Sequence, residues 1–161
     1  MIGGLLGWSA AWAADAKMDP LAFYVGDWQC DWRDLDGAGV ETASGQVEVR
    51  VRPVVDGTWL SVEVVADGAV VSSELKGWDA AANRYRHVFV WGAGGYGTAS
   101  SPGWIGDTLV FTVDPADGKR DRHPERMVFH KESDTAFEHR MEVWGASGYH
   151  PATIKRCRTG G

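Results

Sequence analysis

Two histidines stand where a strand would aim them at an interior. His87 alternates in step with Tyr85, Phe89 and Trp91, and His139 with Phe137, Met141 and Val143. An imidazole held among apolar side chains can serve as acid or base, ligate haem iron, or hydrogen-bond the head group of a guest. The competing reading is a hydrogen-bonded structural histidine. Spacing places no carboxylate or nucleophile beside either ring, which favours that quieter role. His123 and His150 adjoin prolines and read as solvated loop residues, while His130 shares a face with Val128 and Glu132 and is ambiguous.

Other chemistries find less support. There is no G-x-S-x-G elbow for a serine nucleophile, and no HExxH or CxxC spacing for a metal. Gly92-Ala93-Gly94-Gly95-Tyr96-Gly97 contains G-x-G-x-x-G, but a dinucleotide site needs a helix to follow, and Thr98-Ala99-Ser100-Ser101-Pro102-Gly103 does not open one. This run reads instead as a flexible loop at a barrel rim. No cofactor is expected. The formal charge is −6 and no run of Lys and Arg exceeds two residues, so nucleic acid is a poor partner.

Met1 to Ala14 is apolar and rich in small residues, with Ala11-Trp12-Ala13 as an A-x-A cleavage signal, although no Lys or Arg precedes the apolar stretch. The segment is too short to span a bilayer. Residues 1–16 are therefore expected to be a signal peptide or N-terminal extension, with residues 17–161 as one domain in the periplasm or secreted. In an oxidising compartment Cys30 and Cys157 become candidates for a disulfide. Strand parity opposes the pairing. Cys30 alternates with Trp28 and Trp32, inward, whereas Ile154 marks the inward face of the last strand, which would take Arg156 inward and turn Cys157 outward. A bulge near barrel closure would reset that parity.

The elements that must position these residues are short and alternating. Strand-like segments fall at 28–33, 45–53, 58–66, 69–77, 84–91, 96–101, 107–113, 126–132, 135–143 and 152–158, separated by Gly, Asp and Pro; Asp67-Gly68 and Ser133-Asp134 are tight enough for hairpins. Val47, Val49 and Val51 alternate with charged residues, as do Leu60, Val62 and Val64 with Ser61 and Glu63. Asp19 to Tyr24 reads as a short helix with Asp19 as N-cap and Pro20 at its first position. With nine tryptophans and no helix-length apolar pattern, the fold class is all-β: an antiparallel up-and-down barrel of about ten strands, its first and last strands pairing to close it.

Phe23-x-x-Gly26-x-Trp28, followed by Gly77-Trp78-Asp79 and Arg84-Tyr85, resembles the opening and first turn of a bacterial domain-of-unknown-function family with a lipocalin-like (calycin) barrel. The resemblance covers residues 20–158 and implies a ten-stranded barrel, and little about function. The opening is distantly similar to nitrobindin-like haem barrels, but Gln29-Cys30-Asp31 stands where those carry a glycine-rich run.

These observations point to a cavity lined by Trp28, Leu60, Val62, Tyr85, His87, Phe89, Trp91, His139 and Met141, with residues 92–103 at its mouth and an inward Arg156 for an anionic head group. Aromatics with polar tips suit a small hydrophobic or amphipathic ligand. Two other readings stand beside this: a barrel enzyme or haem-dependent catalyst using His87 or His139 with Tyr85, and a packed barrel serving as a structural or partner-binding module.

Overall fold

A computed structural model describes residues 16–115 and 125–160. All ten expected segments are strands: β1 (Gly26–Leu35), β2 (Glu41–Val54), β3 (Trp59–Ala66), β4 (Ala69–Asp79), β5 (Arg84–Trp91), β6 (Gly95–Ser101), β8 (Thr108–Val113), β9 (Glu125–Ser133), β10 (Ala136–Gly145) and β11 (Gly148–Thr159). A two-residue strand missed by the alternation, β7 (Trp104–Ile105), pairs only with β8. The sheet runs β6-β5-β4-β3-β2-β1-β11-β10-β9-β8-β7, and β6 pairs with β8 to complete the ring. The wall is therefore a closed antiparallel barrel of ten strands.

As expected, the first and last strands pair, from Trp28 opposite Thr159 to Asp34 opposite Thr153. The narrow seam lies elsewhere: β6 and β8 share two residue pairs, Ala99 with Val113 and Ser100 with Thr112. The hairpin at Asp67-Gly68 has both residues at positive φ, 50° and 78°, the conformation of a type I′ turn.

Strand polarity places the turns at 36–40, 67–68, 92–94 and 146–147 at one end of the barrel. The other end is closed by residues 17–24. Asp19–Tyr24 form a 3-10 segment, not the expected helix capped by Asp19; the N-cap is Met18, and no side chain caps it. Met18, Leu21 and Tyr24 are buried. The segment is tied down by Tyr85 Oη, which donates to the Lys17 carbonyl, and by Trp28 Nε1, which donates to the Tyr24 carbonyl at 2.8 Å.

The core begins at that closed end. Trp28 and Phe137 meet edge-on with centroids 4.8 Å apart, and Tyr24 stands 5.1 Å from Phe137. Val49, Val51, Leu60, Val62, Leu109, Phe111 and Met127 belong to the same core, all buried. The inward alternation expected for β2, β3, β5 and β10 is the alternation found.

Two expectations fail in instructive ways. The strand expected at 96–101 is present and begins at Gly95, so most of the rim loop expected over 92–103 is barrel wall, and its glycines make room for rings on β5. A Cβ on Gly95 would come within 2.2 Å of the Trp91 ring, and one on Gly97 within 2.6 Å of Phe89. Those glycines face their aromatics directly across the ladder. On the outer wall, Gly77 lies under Trp59 in the same way.

The second failure concerns β11. Between the pairs Glu142–Pro151 and Met141–Thr153 the register slips at Ala152. This bulge reverses the parity of everything after it. Ile154 and Arg156 consequently face outward, and Thr153, Lys155 and Cys157 face inward. Cys30 and Cys157 are direct partners across β1 and β11, with Cα atoms 4.0 Å apart, and form a disulfide. The expected signal segment and the loop carrying Asp117-Gly118 and His123 lie outside the described residues. Among the described residues no helix is long and apolar enough to cross a membrane.

Candidate functional site

The interior halfway up the barrel is charged. β4 presents Ser72, Glu74, Lys76 and Trp78 inward because the 80–83 turn sets Trp78 opposite Tyr85, Lys76 opposite His87 and Glu74 opposite Phe89. Its apolar Val71 and Leu75 are exposed instead, each 43% accessible, so the hydrophobic pattern of β4 runs opposite to its true inner face. From the far wall, Lys155 projects beside His139, its partner across β10 and β11. Glu74, Lys76 and Lys155 were invisible to a search for apolar faces. The hairpin register from Tyr85 back through a four-residue turn is the signal that locates the first two.

Glu74 is the hub. Lys76 Nζ forms an ion pair with Glu74 Oε2, and His87 Nε2 lies 2.9 Å from the same oxygen. Burial alone would raise the Glu74 carboxyl, but the Lys76 ammonium, the His87 hydrogen bond and Lys155 outweigh it and hold it well below the ordinary carboxylate range. His87 is 1% exposed; burial and then the Lys76 charge bring it down to about 4, against the opposing pull of Glu74. At neutral pH the pair is thus a carboxylate and a neutral imidazole. An ionised carboxylate only accepts, so the His87 proton sits on Nε2 and donates to Glu74. That leaves Nδ1 as a buried acceptor with no partner among the described residues.

His139 is stacked on Phe129, with centroids 4.3 Å apart and planes 18° from parallel. Its Nε2 is sealed from solvent and also lacks a partner. Burial, reinforced by Lys155, holds this imidazole well below its ordinary pKa. Lys76 sits 5.1 Å from the Phe129 centroid and 5.5 Å from that of Tyr24, so aromatic faces as well as Glu74 solvate its charge. The Tyr24 phenol is pushed well up by burial and by the Glu74 charge.

Between these groups lies a cavity of about 10 Å³, lined by Glu74, His139, Lys155, Tyr24, Phe129 and Phe137 among others. That is room for one water. Large aromatics and long charged side chains crowd this level of the barrel and leave no space of ligand size between these groups.

The expected lining residues divide by position. Trp28, Leu60 and Val62 are buried core, and His87, His139 and Met141 surround or approach the charged cluster. Tyr85 belongs to the closed end, where its hydroxyl holds Lys17. Phe89 and Trp91 stack toward the open end at 5.6 Å, and Trp91 is 48% exposed there. Arg156, expected inward, lies on the outer wall because of the Ala152 bulge and pairs with Glu138 at 2.9 Å. It lines an outer groove of about 730 Å³ with Asp31, Arg33, Gln46 and Arg158. His150, expected in a loop, is part of β11 with its ring over Gly145. His130 is exposed on the outside of β9, 3.3 Å from Thr108 Oγ1. Among the described residues no group of His, Cys, Asp and Glu is arranged to hold a metal.

Fold and site define a class of protein: a closed antiparallel β-barrel with a buried aromatic cluster packed around interior charges. No protein-family model matches the chain, and no curated protein matches it at a significant level.

Proposed function

We propose that this is an exported barrel of the lipocalin type that takes a small amphipathic molecule into its interior, head group toward Lys155 and His139. One observation carries the reading. Lys155 and His139 line the same cavity; His139 Nε2 is sealed without a partner, and the half-buried Lys155 forms no hydrogen bond or ion pair among the described residues. Interior polar groups without partners cost free energy that a packed module could avoid with apolar side chains. A guest whose head group accepts hydrogen bonds would satisfy them.

Entry is from the open end. Met141, an unbranched and only partly buried side chain, stands one inward step above His139 in that direction. Above Thr98, β6 pairs on its β5 side alone among the described residues. A guest must displace side chains such as Met141, a rearrangement for which flexible thioethers are suited.

The test is titration with fatty acids, retinoids and haem, following tryptophan emission, with native mass spectrometry for retained guests. Trp32 lies directly opposite Lys155 and would report occupancy. Lys155→Met should weaken carboxylate guests roughly 10- to 100-fold, the loss of one hydrogen bond to a charged group. Emission unmoved by every ligand class would overturn the proposal. The filled interior favours a second reading, a packed module that binds partners on its outer wall; retention of a partner by the wild type but not by an Arg33→Glu, Arg158→Glu variant would support it. For export, N-terminal sequencing of the mature protein should show cleavage after Ala13 or Ala16.

A further inference from the structure

Lys155 differs from the other lysines of the described residues. Lys76 is bound to Glu74, Lys131 to Asp134 at 2.7 Å, and Lys17 lies over the Trp78 ring, whereas Lys155 forms no hydrogen bond or ion pair among the described residues. It projects inward between His139 on β10 and Trp32 on β1, and it lines the interior cavity with Glu74. The carboxylate that would ordinarily neutralise it is already engaged by Lys76 and His87. Burial disfavours its ammonium form; Glu74 opposes this, and the Lys76 charge adds to it. A half-buried lysine beside a second cation holds its ammonium form less firmly than a solvated one, which raises the share of free, nucleophilic amine.

We propose that Lys155 captures an amphipathic aldehyde as an imine inside the barrel. This rests on the interior-binding reading and adds a covalent step to it. The amine lone pair forms a C–N bond to the carbonyl carbon while the C=O π electrons move to oxygen. The C–O bond of the resulting carbinolamine then breaks as C=N forms. The two N–H protons end on the departing oxygen, which leaves as water, so no oxidant or reductant is required. Glu74 supplies a negative charge beside the imine when that is protonated, and the stacked His139 ring confines the site from the opposite strand.

The experiment incubates the full chain with octanal, reduces with borohydride, and locates the octyl group by peptide mass mapping. A parallel titration follows tryptophan emission with octanal and octanoate. The expected result is one octyl group on Lys155 in preference to the other lysines, Lys76 being held by Glu74. Lys155→Arg should retain the barrel, checked by circular dichroism and the intact disulfide, and lose the trapped product; Lys155→Met provides a second, uncharged control. Octyl groups only on solvated lysines, with octanal still perturbing the emission, would sink the imine and leave non-covalent binding standing. No trapping at Lys155 and no emission change with either compound would sink both.

Discussion

His87 ties the chemistry of the interior to stability. Its folded pKa of about 4 lies below the unfolded value of about 6.5. Between those values the unfolded chain binds a proton that the folded chain refuses, so acid favours unfolding. The contribution is fully present above about pH 6.5 and is lost as pH falls toward 4, about 3 kcal/mol over the whole window. His139 is depressed in the same direction and adds to the slope. Glu74 adds a further loss at still lower pH, as its carboxylate is protonated away from Lys76 and His87. Urea midpoints should therefore drop steeply from pH 7 to 4.5, and His87→Gln, which gains no proton, should flatten the slope. Equal midpoints at the two pH values would refute the assignment of a neutral buried imidazole. Gly77 offers a second residue-scale test. A Cβ there would lie 2.3 Å from the Trp59 ring, so Gly77→Ala should cost about 1–3 kcal/mol by forcing that ring off the wall. In a Trp59→Leu background the cost should largely disappear, and an equal cost in both backgrounds would refute the contact.

At the scale of elements, the bulge on β11 decides which residues reach the interior. Ala152 is the one extra residue that moves Lys155 and Cys157 inward and Ile154 and Arg156 outward. Deleting Ala152 should reverse this. Cys157 would then face away from Cys30, and thiol titration of denatured, unreduced protein should find two free thiols where the parent has none. A deletion variant that keeps the disulfide would show that β11 can shift its pairing with β1 and β10 as a unit. The same bulge explains why Arg156 is unsuited to an interior head group, although strand alternation from Ile154 points there. Element type, by contrast, was plain in the chain: clean alternation such as Val47-Glu48-Val49-Arg50-Val51 is sufficient to place a half-buried strand.

For the whole molecule, the disulfide joins β1 to β11 over a sequence separation of 127 residues. In the chain-entropy treatment, a cross-link closing so long a loop removes unfolded-state freedom equivalent to about 5 kcal/mol. Denaturation with and without reductant should differ by a large part of that figure, and Cys30→Ala, Cys157→Ala should behave like reduced protein. A difference near zero would mean that the reduced unfolded chain keeps these strands together. Stability should also be uneven around the ring. The β6–β8 seam has two residue pairs, whereas β1 and β11 share seven. Amide exchange should therefore be fastest along Gly95–Gly97 and slowest in β1, β10 and β11. Uniform protection around the barrel would argue against opening at that seam.

The sequence by itself determined the class of fold, the ten long strands, the inward faces of β2, β3, β5 and β10, and the pairing of the chain's first and last strands. Those follow from local alternation and from turns such as Asp67-Gly68, whose chemistry is carried by adjacent residues. Only the tertiary structure decided what the interior is made of. Glu74 and Lys76 face inward because β4 takes its parity from Tyr85 and His87 across a turn, against its own apolar pattern. Lys155 and Cys157 face inward because one bulged residue shifts the register of the last strand. The glycine run opposite Phe89 and Trp91 is a wall under aromatic rings, a role that no single strand displays. In each case the orientation belongs to a pair of strands, and register between strands is fixed by pairing geometry that a one-dimensional pattern of hydrophobicity does not contain.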